Sequence, residues 1–154
     1  MPRQPVERTA IAVWRWEAIF TSLVIFIAGV IPLFASRVPV GISIGLGGLA
    51  FLLLAAWIAW YPGAKYRHLG WHLDDVGITI HAGIFWRTQS SLARARIQHT
   101  DVFQGPLQRH YGVATLKLYT AGSHFSRIEL PGLSHDTAIH LRDALQSADG
   151  SDAV

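Results

Sequence analysis

Two uncharged apolar stretches, Ala18 to Ser36 and Val38 to Ala64, follow one another near the N-terminus. The first has 19 residues, and at about 1.5 Å per helical residue it reaches roughly 28 Å, close to the hydrocarbon thickness of a bilayer. Neither stretch shows the polar face that a soluble core helix repeats every few residues. The pattern predicts a hairpin of two transmembrane helices, over about residues 18–36 and 39–61. A cleaved signal peptide is the alternative for the first stretch.

From Tyr66 onward, apolar positions recur at every second residue, which is typical of half-buried strands. After Pro131-Gly132 the spacing becomes helical, and Ser134 is a suitable N-cap. The predicted strands cover residues 69–73, 76–81, 84–91, 96–104, 113–120 and 124–130. The predicted helix places Ala138, Leu141, Leu145 and Ala148 on one face.

These elements predict a membrane α-helical hairpin followed by an all-β domain, a small barrel or a pair of orthogonal sheets, closed by a C-terminal helix. The domains are then a cytoplasmic N-terminal segment (residues 1–17), the two helices (18–64), the β domain (65–148) and a flexible tail (149–154). Because the β domain has its own alternating strands and closing helix, it is expected to fold without the hairpin.

Charge is unevenly distributed along the chain. All eight histidines lie beyond Ala64, and residues 65–148 hold nine of the 13 Lys and Arg and six of the ten Asp and Glu. This mild basic excess suits a domain beside an anionic membrane leaflet and does not predict nucleic-acid binding. The chain has no cysteine, so it forms no disulfide.

The flanks of the apolar stretches predict the orientation. Lys and Arg are commoner before the first stretch and after the second than between them, and such loops stay cytoplasmic. We therefore expect a multi-pass protein of the cell inner (cytoplasmic) membrane with both termini cytoplasmic. The basic residues counted are Arg3, Arg8 and Arg15 before the hairpin, Arg37 within it, and Lys65 and Arg67 after it.

Within the hairpin, Gly41 and Gly45 form a GxxxG pair, a spacing that lets helix backbones approach closely. It predicts either packing of the hairpin against itself or formation of a homo-oligomer. Neither stretch contains Asp, Glu, Lys, Arg or His, which argues against a transporter or channel. Aromatic residues flank the stretches as interfacial anchors would: Trp14, Trp16, Trp57, Trp60, Tyr61 and Tyr66.

The second half of the chain carries a more specific signal. The run Arg96 to Gly122 contains RIQ, QGPLQR and GVATLKLYTAG, and the segment Leu130 to Leu145 contains PGL. Together these motifs closely resemble the YdbS-like family of bacterial membrane proteins, which carry a bacterial pleckstrin-homology-like domain. The resemblance implies a pleckstrin-homology-like barrel with a C-terminal helix, tethered to the membrane, in a family without an assigned catalytic activity.

Other chemistries find little support in the sequence. The first loop of the domain carries Asp74 and Asp75, which would repel the phosphates that classical pleckstrin-homology domains bind. His68 and His72 lie too far apart on a strand to share a metal, so no metal or cofactor is predicted. No catalytic motif is present, and Asp101, a possible general base, is more simply explained as a partner of a nearby arginine.

The remaining candidate is a basic cluster that could contact anionic headgroups or an acidic protein, although ordinary solvation is the simpler explanation. Arg94 and Arg96 share a face of the fourth strand if that strand begins at Arg94. The members of the cluster are Arg94, Arg96, His99, Arg109, His110 and Lys117. The preferred hypothesis is a non-catalytic interaction module that binds the lipid bilayer surface or a protein partner. The alternative is an accessory or catalytic subunit acting on lipid or cell-envelope substrate, which a pocket with a histidine beside Asp101 would favour.

Overall fold

The computed structural model describes residues 4–36, 38–120 and 127–146. Two long helices, α1 (Ala10–Ala35) and α2 (Val40–His68), pack against each other as a hairpin. Both are long and apolar enough to cross a membrane. The two predicted apolar helices are therefore present, and each continues beyond its predicted span towards the β domain.

In the described residues, seven strands form two antiparallel sheets, with orders β1-β2-β3-β4 and β5-β6-β7. The described strands are not joined into one closed ladder. The structure therefore has the second of the two predicted arrangements, a pair of sheets. A short helix, α3 (Pro106–His110), precedes β6, and α4 (His135–Gln146) packs against the second sheet. The strands are β1 (Gln4–Pro5), β2 (Gly70–Leu73), β3 (Gly77–Ala82), β4 (Thr88–Ala93), β5 (Ile97–Phe103), β6 (Val113–Thr120) and β7 (Arg127–Ser134).

The turn between β3 and β4 differs from the prediction. The third strand was expected to begin at Ile84, whereas β4 begins at Thr88. Gly83 has a φ of 111°, a left-handed conformation that ends β3 and favours glycine. The apolar residues that follow, Phe85 and Trp86, therefore lie in an exposed turn instead of a strand.

The end of β7 also differs from the prediction. Pro131-Gly132 was expected to end the last strand, but β7 continues to Ser134 through a bulge that leaves Gly132 outside the pairing with β6. Ser134 Oγ accepts a hydrogen bond from the Thr137 N–H at 3.1 Å, so the predicted N-cap is confirmed. Ala138, Leu141 and Leu145 of α4 are buried as predicted. Ala148, the tail 149–154 and the predicted strand start at His124 lie outside the described residues.

The core unites both sheets, α4 and the N-terminal segment. Among the completely buried side chains are Leu116 and Leu118 of β6 and Leu130 of β7. Four residues that precede the first apolar stretch belong to the same hydrophobic cluster: Val6, Ala10, Val13 and Trp14. The N-terminal segment is therefore part of the domain core.

Trp14 was expected to anchor the hairpin at the membrane interface, and that expectation is wrong because its side chain is 3% exposed within this core. Two contacts hold the segment there. β1 pairs with β2, and the Glu7 N–H donates to the Gly132 carbonyl at 2.8 Å.

The hairpin packs through residues other than the predicted glycines. Gly41 and Gly45 are exposed, and a Cβ at either position would meet no atom of a packed neighbour within 4 Å. The contact face of α2 instead contains Ser43, which is 1% exposed, and Gly47, where a Cβ would lie 4.0 Å from Val30 Cγ2. The small-residue pair that packs the hairpin is thus offset by two positions from the predicted one. A role for Gly41 and Gly45 in a homo-oligomer stays a prediction.

Candidate membrane-facing surface of the domain

The connection between hairpin and domain is very short on both sides. α2 runs to His68, and β2 begins at Gly70, with the Leu69 N–H donating to the Lys65 carbonyl at 3.1 Å. On the other side, α1 passes without a break from the domain core into the first apolar stretch. Because β1 pairs with β2, the N-terminal segment and the domain lie on the same side of the hairpin.

Arg94 and Arg96 lie in a 3-10 turn, not at the start of a strand. The expectation that they share a strand face is therefore wrong, since β5 begins only at Ile97. The Arg94 guanidinium donates to the Asp74 carbonyl at 3.0 Å and is half-buried. Arg94 thus joins two turns of the domain, while Arg96 is exposed.

His99 and Lys117 lie on the outward face of the second sheet, where they have acidic neighbours. His99 Nε2 lies 2.7 Å from Asp101 Oδ1. Lys117 pairs with Asp101 across the β5–β6 ladder, and its Nζ lies 4.0 Å from Glu129 Oε1. The acids offset the basic charge on this face, which weakens its attraction for an anionic surface.

Arg109 and His110 are exposed on α3. This helix contacts α1, and beside it the Trp16 Nε1–H donates to the Tyr111 hydroxyl at 3.0 Å. Arg109 and His110 are therefore near the end of the hairpin that enters the domain. The structure thus distributes the predicted basic cluster over three places: the 3-10 turn, the sheet face and α3.

A second cluster of polar residues is visible only in the structure. An open cleft of about 330 Å³ lies between the end of α2 and the β3–β4 turn. In the sequence, Arg67 bears only on the predicted orientation and Arg87 carries no prediction, because nothing in their spacing shows that α2 and the turn meet. The polar residues of the cleft are Arg67, His68, His81, Arg87, Thr88 and Gln89.

The histidines form no metal centre in the part of the chain that the structure describes, where no three His, Asp or Glu side chains converge. His68 was expected in a strand but ends α2, where its Nδ1 lies 2.7 Å from the Ala64 carbonyl oxygen. The Asp74 carboxylate accepts hydrogen bonds from the N–H groups of Val76 and Gly77, at 3.1 and 2.7 Å. It therefore stabilises the turn in which a classical domain would place basic residues.

Comparison with known proteins extends over almost the whole chain. Residues 22–149 match the profile of a family described as the bacterial PH domain. The chain is 33% identical over 149 residues to the UPF0699 transmembrane protein YdbS of Bacillus subtilis (strain 168), an alignment that covers 94% of this chain and 91% of that protein. No solved structure matches the chain significantly. The family match agrees with the resemblance carried by the motifs of the second half.

Proposed function

Because the chain belongs to the bacterial PH domain family and is, like its relative, a transmembrane protein, we propose that it is a membrane-anchored, non-catalytic interaction module. In this proposal the pleckstrin-homology-like domain binds the anionic membrane surface, with a protein partner as the other class of ligand. The protein lies in the cell inner membrane as a multi-pass protein with both termini in the cytoplasm.

The observation that carries this proposal is the double attachment of the domain to the hairpin. α1 leaves the domain core directly into the apolar stretch, and a single residue separates α2 from β2. Such short connections hold the domain at a high effective concentration beside the bilayer. Weak contacts, of about 1 kcal/mol for each basic residue near an anionic surface, are then enough to orient it.

The test uses the full chain in nanodiscs of neutral phosphatidylcholine, or of phosphatidylcholine with phosphatidylglycerol, and measures backbone hydrogen exchange. We expect slower exchange around α3, which contacts α1, in the anionic bilayer. The difference should shrink at high salt, because the Debye length falls from about 8 Å at physiological ionic strength to about 3 Å at 1 M.

Two single variants sharpen this test. Arg109→Gln should remove most of the lipid-dependent protection. Arg142→Gln removes equal charge from a residue that pairs with Asp143, and should leave the protection unchanged. If hydrogen exchange of the wild type is the same in both bilayers, binding of the anionic membrane surface is refuted. A protein partner is then the remaining class of ligand.

A second candidate function is an accessory or catalytic subunit acting on lipid or cell-envelope substrate. The pair of His99 and Asp101 is the specific observation in its favour. However, the side chains are 63% and 49% exposed, and a general base is usually tuned by burial. If the His99→Gln variant fails to complement a deletion strain and the envelope lipids of that strain are altered, the result supports the catalytic proposal. Full complementation by the variant counts against it.

A further inference from the structure

The β3–β4 turn exposes two large aromatic side chains. Phe85 is 72% exposed and Trp86 is 85% exposed. Adjacent aromatic residues with this exposure mark a surface that another apolar phase covers. Among the described residues of the β domain, Trp86 is therefore the most exposed large apolar side chain.

The position of the turn identifies what covers it. The Phe85 ring lies 5.9 Å from the ring of Trp60 in α2. Trp60 also neighbours Trp57, which stacks on Tyr61 with ring centroids 4.8 Å apart. Aromatic residues at the end of a membrane helix lie at the level of the lipid headgroups. Phe85 and Trp86 thus continue the interfacial surface of the hairpin onto the domain.

The shape of the turn depends on Gly83. A Cβ at this position would lie 1.7 Å from the Trp86 carbonyl oxygen, and the φ of 111° is itself unfavourable for other residues. The turn is therefore closely folded on itself, and it presents the two aromatic side chains in a defined direction.

The cleft beside this turn has the composition of an anion site. Arg67 and Arg87 line it without any acidic residue, and neither guanidinium has an ion pair or hydrogen bond within the described part of the chain. Arg67 follows Trp60 by seven residues, or about 10 Å along the helix axis. An arginine side chain that extends back along the helix covers much of that distance towards the headgroup phosphates.

We propose that this cleft binds the phosphate of an anionic lipid headgroup while Phe85 and Trp86 insert into the bilayer interface beside it. The proposal rests on the proposed function and gives it a specific site. Guanidinium groups bind phosphate through paired N–H donors, so two of them without competing carboxylates suit this ligand. The aromatic side chains hold the cleft at the depth of the phosphate, which makes a membrane lipid, and not a free anion, the matching source.

Insertion can be measured directly because the chain lacks cysteine. Phe85→Cys carries a spin label in the full chain in nanodiscs, and accessibility to oxygen is compared with accessibility to a water-soluble nickel complex. Val76→Cys is the matched control, since Val76 is 74% exposed at the opposite end of β3. We expect the label at position 85 to favour oxygen and the label at position 76 to favour nickel. Equal, nickel-favouring behaviour at both positions would overturn the insertion.

The headgroup site is tested by counting phosphatidylglycerol molecules retained by the purified full chain in mild detergent, using native mass spectrometry. Arg67→Gln with Arg87→Gln should weaken retention about tenfold or more, as expected for two basic residues near the lipid surface. Arg127→Gln with Arg142→Gln makes the same change in net charge and should retain lipid like the wild type. Equal retention by both variants would overturn the site.

A competition experiment with inorganic phosphate distinguishes a lipid ligand from a free anion. Excess phosphate should not displace phosphatidylglycerol, because it lacks the acyl chains that the aromatic side chains contact. Displacement by phosphate alone would overturn the lipid assignment.

Failure of the cleft proposal and failure of the proposed function give different experimental outcomes. A water-exposed label at position 85, together with lipid-dependent exchange at α3, refutes only the cleft. Hydrogen exchange that is the same in neutral and anionic bilayers refutes the proposed function, which is binding of the anionic membrane surface.

Discussion

Gly132 determines how closely α1 can approach the second sheet. Its φ is 85°, and a Cβ would lie 3.0 Å from Trp14 Cζ2 and 3.1 Å from the Ala10 Cβ. The bulge around Gly132 also presents the carbonyl that accepts the Glu7 N–H. One glycine therefore serves both the strand geometry and the attachment of the N-terminal segment.

Gly132→Ala should consequently destabilise the domain by two effects. The left-handed conformation costs about 1–2 kcal/mol for a residue with a Cβ, and overpacking against Trp14 costs about 1–3 kcal/mol more. Gly112→Ala is the matched control, because Gly112 has a φ of 67° and open space around its Cα. Denaturant unfolding of the full chain in micelles measures both variants. Equal losses of stability would show that Trp14 does not press on this position.

At the scale of elements, periodicity predicted those parts of the fold that depend on local pattern. The predicted bounds of β6 agree with Val113–Thr120, and the buried face of α4 was also predicted. β1 was missed because a two-residue strand, Gln4–Pro5, has no period to detect. The β3–β4 turn was misassigned because Phe85 and Trp86 have high strand propensity, whereas Gly83 decides the backbone.

The candidate site was less predictable than the fold. Arg94 and Arg96 looked like neighbours on a strand, but the 3-10 turn and the contact with Asp74 separate their roles. Arg67 and Arg87 meet only because α2 leads directly into the first sheet. Long-range juxtaposition of this kind leaves no trace in a single sequence.

Because α1 docks on the domain, a fragment of residues 65–148 lacks four residues of the core. Independent folding of that fragment stays a prediction. Trp14→Ala should cost about 3–5 kcal/mol, as for other buried large side chains. Trp16→Ala should cost far less, because Trp16 is 44% exposed and loses mainly one hydrogen bond. Thermal unfolding of both variants provides the comparison. Similar small effects would mean that α1 is only loosely attached to the domain.

At the scale of the whole molecule, the hairpin fixes which parts share a side of the membrane. Cysteines introduced at Val38, between the helices, and at Val76, in the domain, should react differently with an impermeant thiol reagent. In whole cells we expect labelling at Val38 and protection at Val76, with both labelled after permeabilisation. Labelling of Val76 in whole cells would reverse the proposed orientation.

The central claim is that two short connections hold the pleckstrin-homology-like domain directly against the bilayer. Neutron reflectometry of the full chain in a supported bilayer that contains phosphatidylglycerol measures this position along the membrane normal. Because one residue separates α2 from β2 and α1 enters the core, we predict that protein density begins within the headgroup layer. A layer of water between the headgroups and the domain would contradict the account.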